Sequence, residues 1–182
     1  MDSASRHSDE LLSVLTEVAQ RPGCQLLPPT GSVSLPDRFT LPDDLRRFYE
    51  LCGGAVLFEG ATFEWTVSGP RQLVPASPRL LGPKPAQDIA AQYPDDLTNS
   101  CFVFAESGPG GTASLVVVDL HPARAGRYYD AFWDSYGLVG DMPILALTAA
   151  EALHRLLDTQ GARATHLEPF HGDAYDDVDP PA

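Results

Sequence analysis

Lysine is nearly absent from this chain: Lys84 stands alone against eleven arginines, and Asn99 is the one asparagine. Basic residues total 12 against 25 acidic ones, which leaves a net charge of −13. A surface so short of cations is repelled by phosphate backbones and anionic lipid, so nucleic-acid and membrane-surface binding are disfavoured. No apolar run approaches the roughly 18–20 residues that a spanning helix needs. The segment MDSASRHSDELL has no basic stretch leading into an apolar one, so it does not read as a secretory signal, and the cytoplasm is the expected location. Cysteine is scarce: Cys24, Cys52 and Cys101 are odd in number, widely spaced and form no CxxC pair. That pattern argues against a disulfide scaffold and a zinc site. Cys52 and Cys101 fall on apolar faces and read as small buried hydrophobes.

The motifs of catalysis are missing as well. Ser107–Gly108–Pro109–Gly110–Gly111 is glycine-rich but lacks the GK[ST] ending and opens onto no helix, so it reads as a hairpin turn rather than a phosphate cradle. No serine sits in a GxSxG elbow. His7, His121, His154, His166 and His171 form no HExxH or i, i+4 ligand pair. His121 precedes Pro122 in a turn, and His154 flanks an apolar helical stripe. Asp130 and Asp134 are close in sequence, but paired catalytic carboxylates flank a substrate about 5–9 Å apart, which neighbours in one loop seldom achieve. No cofactor or metal is expected.

What is present is a well-punctuated domain of 182 residues, long enough to bury a core without staples. Ser8 can cap a first helix to about Gln20, with Leu11, Leu12, Leu15, Val18 and Ala19 as its stripe. Residues 24–40 read as an extended connection. Leu41, Leu45, Phe48, Tyr49 and Cys52 fall on one face of a second helix, with Pro42 in its first turn and Gly53 or Gly54 as a left-handed cap. Ala55–Phe58 and Thr62–Val67 form a hairpin around Glu59–Gly60–Ala61. Five prolines in Ser68–Pro85 make that stretch loop, with one turn of helix, and a short helix follows at Ala86–Gln92.

The second half reads as strands Cys101–Ala105, Thr112–Leu120, Arg127–Trp133 and Pro143–Leu147. Ser114–Asp119 is apolar almost throughout, as in a central strand buried on both faces. Thr148 and Glu151 form a capping box that opens a last helix with Leu153, Leu156 and Leu157 on its stripe, ended by Gly161. From Glu168 the chain carries five acids and no base, so residues 167–182 read as an acidic, flexible tail, with Phe170 and Tyr175 able to dock back onto the domain. The domain is placed at residues 1–166. The expected fold is a single α+β domain with a mainly antiparallel sheet packed by helices.

The order of these motifs resembles the SMI1/KNR4 family (the SUKH superfamily). The resemblance is carried by Leu41–Pro42–Asp43–Asp44 through Phe48–Tyr49, Gly53–Gly54, Ala55–Phe58, Phe102 through Gly108 and Val116 through Leu120. Gly126–Arg127–Tyr128–Tyr129–Asp130, Phe132 through Gly137 and the Ile144–Ala146 strand complete it. Cys52–Gly53–Gly54 stands where that family usually has an Asn-Gly junction. The resemblance implies a non-enzymatic binding module, similar to bacterial immunity proteins that neutralise toxins of polymorphic or contact-dependent systems. Many such toxins are basic nucleases, onto which an acidic inhibitor can be steered. The alternatives are an intracellular regulatory scaffold for an endogenous protein and, further off, an enzyme without a recognisable motif. Acids interleaved with aromatics mark Glu59, Glu64, Trp65, Asp130, Trp133 and Asp134 as the expected contact residues for a protein partner.

Overall fold

The computed structural model describes residues 3–108, 114–161 and 170–176. Its elements are α1 (Ser3–Gln20), β1 (Gln25–Leu26), α2 (Asp43–Leu51), β2 (Ala55–Leu57), β3 (Trp65–Val67), α3 (Ser77–Leu80) and α4 (Pro83–Gln92). A 3-10 turn (Leu97–Ser100) leads into β4 (Cys101–Ser107), then β5 (Ser114–Asp119), β6 (Tyr128–Ala131), β7 (Ile144–Ala146) and α5 (Ala149–Asp158). The seven strands form one sheet in chain order, every neighbouring pair antiparallel. The fold is α+β, a meander with helices on it.

β5 explains the layering. All six of its residues are buried, and successive side chains point to opposite faces. Val116, Val118 and Leu120 enter one apolar cluster and Leu115 and Val117 the other. The first cluster packs α1 (Leu11, Val14, Leu15, Val18), α2 (Leu45, Phe48, Tyr49) and α5 (Leu153, Leu156, Leu157) onto the sheet. Phe104 is wedged at its centre, edge-on to Tyr128 at 4.9 Å between centroids and 6.1 Å from Phe48. A register shift between Val103 and Ala105 puts Phe104 and Ala105 on the same face, so β4 contributes both to this core.

The second cluster has no long helix over it. It gathers Ala76, Leu97, Cys101, Val103, Tyr129, Ala131, Tyr136, Met142, Ile144, Ala174 and Tyr175. Its cover is α3, the 3-10 turn, the β6–β7 loop and residues 170–176. That last segment lies in the region read as an acidic tail, yet it pairs with the outer edge of β7. Ile144 N donates to Gly172 O and His171 N to Ile144 O, each at 2.8 Å, and Asp173 bridges antiparallel to Pro143. Tyr175 is buried and Phe170 is half exposed. An edge that would otherwise invite foreign strands is thereby closed.

Several local expectations need correcting. Pro42 is the residue before α2, with extended ψ of 144°, and α2 ends on Cys52 in an extended conformation rather than on a left-handed glycine. The glycine pair serves close packing instead: a Cβ on Gly53 would lie 2.1 Å from Pro28 O, and one on Gly54 2.5 Å from Val67 O. Both carbonyls belong to chain segments pressed against the junction. β1 and the 3-10 turn, which periodicity did not announce, are too short to carry a period. At α5 the Thr148 cap forms as read, with Thr148 Oγ1 accepting from Glu151 N at 3.1 Å, while the Glu151 carboxylate reaches back one residue further, to Leu147 N at 3.0 Å. The glycine-rich loop at residues 109–113 lies outside the described residues.

Candidate protein-binding surface

Two features stand out on the loop-covered face. The first is a cleft of about 760 Å³ over β3 and β4, where that cover stops short. Thr66 faces Glu106 across the strands, and with Glu64, Val74, Arg79 and Val103 they line it. Arg79 pairs with Glu106 at 2.5 Å, while the Glu64 carboxylate accepts from Gly60 N at 2.9 Å. Arg71 is exposed at the cleft wall. The cleft therefore mixes both charge signs.

The second feature is the β6–β7 loop, residues 132–141. Three large apolar side chains on it are exposed: Trp133 at 56%, Leu138 at 50% and Val139 at 67%. They stand on a loop held from beneath. Tyr136 is buried, and its hydroxyl donates to Thr98 O at 3.2 Å, a carbonyl that also accepts from Ser77 Oγ at 2.9 Å. Consecutive turns close it, with Tyr136 N donating to Phe132 O, Leu138 N to Ser135 O and Asp141 N to Leu138 O. Asp173 on the docked C-terminal segment accepts from Gly140 N at 3.2 Å and from Met142 N at 2.9 Å. Gly137 and Gly140 take φ of +82° and +85°, where a side chain would be strained. Burial raises the Tyr136 hydroxyl pKa well above its ordinary value, so it stays a neutral donor.

Beneath this face lies a closed polar network. Asp119 is fully buried and accepts four hydrogen bonds: from Ser100 Oγ at 2.7 Å, His121 N at 2.8 Å, Arg124 Nε at 2.7 Å and Tyr129 OH at 3.0 Å. Burial works against the charge on Arg124, but the Asp119 carboxylate outweighs it and raises the guanidinium pKa further. The network fixes the β5–β6 turn to the 3-10 turn. Its groups satisfy one another, which marks it as structural.

The six residues expected at the contact surface separate. Glu59 is exposed in the β2–β3 turn and Glu64 borders the cleft. Trp133 and Asp134 are exposed on the β6–β7 loop. β3 and β6 are three strand spacings apart, roughly 14 Å, so these two pairs do not form one continuous patch. Trp65 is corrected outright: it has no exposed surface and sits in the helix-side core, because β3 turns it and Val67, two residues on, to the same inward face. Asp130 is largely buried too, on the face of Tyr128 by the pleat. No side chain among the described residues pairs with it, and burial raises its carboxyl pKa to about 7. A raised carboxylate inside a cleft would speak for catalysis. Here the two features fall on opposite faces of the sheet. Sequence reasoning passed over Leu138 and Val139; their signal is two adjacent apolar residues between Gly137 and Gly140 in a loop, where nothing can bury both.

Among the described residues no helix is long and apolar enough to cross a membrane, and no group of His, Cys, Asp and Glu could hold a metal ion. No family model matches the chain, and no solved structure matches it. The chain is 28% identical over 169 residues to the Immunity protein YokJ of Bacillus subtilis (strain 168), covering 91% of this chain and 96% of that protein.

Proposed function

We propose that this chain is a non-enzymatic immunity protein: it binds a toxin in the cell that makes it and blocks the toxin's activity. The observation that carries the reading is the similarity to an immunity protein along nearly the whole length of both chains. Membership of the SMI1/KNR4 family is part of the same proposal and rests on the motif order described above. Net charge of −13 suits a basic partner, such as a nuclease domain, because opposite net charges raise the association rate. The cytoplasm is where such a protein would meet its toxin.

A co-culture tests it. A source strain deleted for this chain is grown in contact with its parent. The expected result is inhibition of the deletion strain, relieved by plasmid-borne expression of the chain. Equal growth of the two strains under toxin-secreting conditions would remove the immunity reading and favour a regulatory scaffold for an endogenous protein.

A further inference from the structure

We infer that the β6–β7 loop, residues 132–141, is the partner-docking surface, and that it fits a protein surface carrying an apolar pocket bordered by arginine or lysine. The inference deepens the proposed function and rests on it only for the partner's identity as a toxin.

Three observations converge on the loop. Trp133, Leu138 and Val139 are the largest concentration of exposed apolar side chains on any one segment of the described residues; the other exposed large hydrophobics, Leu12, Val74, Tyr93, Leu147 and Phe170, fall on five different segments. Tryptophan is among the residue types most enriched in binding hot spots, which makes Trp133 the anchor, and apolar contacts such as Leu138 and Val139 act by excluding water around such an anchor. The loop is also ordered before any partner arrives, by Tyr136 on Thr98 O and by Asp173 on Gly140 N and Met142 N. Binding therefore does not have to order it, and the entropic cost of association falls.

Charge chooses the occupant. Asp134, next to Trp133, and Asp141, two residues beyond Val139, are exposed, and residues 132–141 contain no lysine, arginine or histidine. Asp176 is exposed on the segment that clamps the loop. None of the three makes an ion pair among the described residues. A second copy docking loop to loop would bring these carboxylates together, on a chain already at −13. A basic-rimmed partner gains attraction from the same carboxylates. The cleft at Glu64 is the competing surface, but Arg71 and Arg79 beside Glu64 and Glu106 leave it without a dominant sign.

The full-length protein, immobilised, is panned against a phage-displayed random peptide library, and enriched peptides carrying a fluorescein label are titrated in solution by fluorescence anisotropy, with the emission of the exposed Trp133 followed as well in the wild-type protein. The expected peptides join an aromatic or aliphatic residue to Arg or Lys and shift that emission to the blue. Trp133→Ala and Val139→Asp should each weaken them about thirtyfold or more, and Asp134→Lys should slow association about tenfold at low salt. Because all three side chains are exposed, unfolding midpoints should stay at the wild-type value and certify the variants as folded. Absence of any enriched peptide, full affinity for both apolar variants, or affinity lost instead in Glu64→Ala would each overturn the proposal. So would a concentration-dependent dimer abolished by Val139→Asp, which would make a second copy the occupant. A co-culture without inhibition would remove the toxin while leaving the peptide result to decide the surface.

Discussion

The two faces of the sheet are covered by different kinds of structure. On one face, α1, α2 and α5 touch one another and the strands mainly through hydrocarbon and aromatic side chains, with Arg21 donating to Leu157 O and Asp44 accepting from Ala149 N as polar ties between helices. On the other, short helices, a 3-10 turn, a long loop and a returning C-terminal segment do the covering, and hydrogen bonds hold them: Asp119 with Arg124, Ser100 and Tyr129, Tyr136 with Thr98, Asp173 with the loop backbone. A helical face satisfies its own backbone and asks only for apolar contact. A loop-built face must find partners for each buried N–H and C=O, so polar side chains become its fasteners. The same face leaves apolar side chains outside, since a loop has no second stripe on which to hide them. The helices pack on one side of the sheet, and the candidate binding groups lie on the other.

The contrast can be broken most severely at the centre of the helical face. Phe104→Ala removes the ring that meets Phe48 and Tyr128 and should cost about 4 kcal/mol in denaturant unfolding. Asp119→Ala attacks the other face by stripping Arg124, Ser100 and Tyr129 of their common acceptor at once, with an expected loss of about 3 kcal/mol. If that loss were under about 1 kcal/mol, the polar fasteners would not be what holds the second cover.

Asp130 gives an effect of the opposite sign. Its carboxyl pKa is raised by burial from 3.8 to about 7, so between those values the folded state holds more protons than the unfolded one. Stability should accordingly fall as pH rises from about 4 to 7 and level off above. Asp130→Asn should flatten that slope and stabilise the protein by about 2 kcal/mol at pH 8, read from denaturation midpoints across pH. The mildest change is Tyr136→Phe, which removes one hydroxyl donor to Thr98 O and should cost about 1 kcal/mol. Hydrogen exchange should show faster opening confined to residues 132–142, with α1 and α5 unchanged; a uniform change would mean that the two faces unfold as one unit.

The long helices and the central strand were legible in the amino-acid sequence because each carries a period. Leu11, Leu15 and Val18 repeat at helical spacing, Leu115–Val118 is an unbroken apolar run, and Thr148 with Glu151 announces a cap. These signals are local, and α5 and β5 form where they point. The α+β class follows from them. The contact residues were a different matter. Alternation around Trp65 is the same whether that face meets helices or solvent, so only the seating of α1, α2 and α5 decided that it is core. Asp130 and Asp134 are four residues apart, yet the pleat of β6 buries one and the following turn exposes the other. The docking of residues 170–176 on β7 depended on an edge created by chain folded earlier in the sequence, and composition alone describes that stretch as an acidic tail. The sequence by itself determined the longer helices and the central strand, through short-range spacing of apolar side chains. The tertiary structure decided which of their surfaces remain exposed, because exposure is a property of what packs against a residue, and those neighbours come from distant parts of the chain.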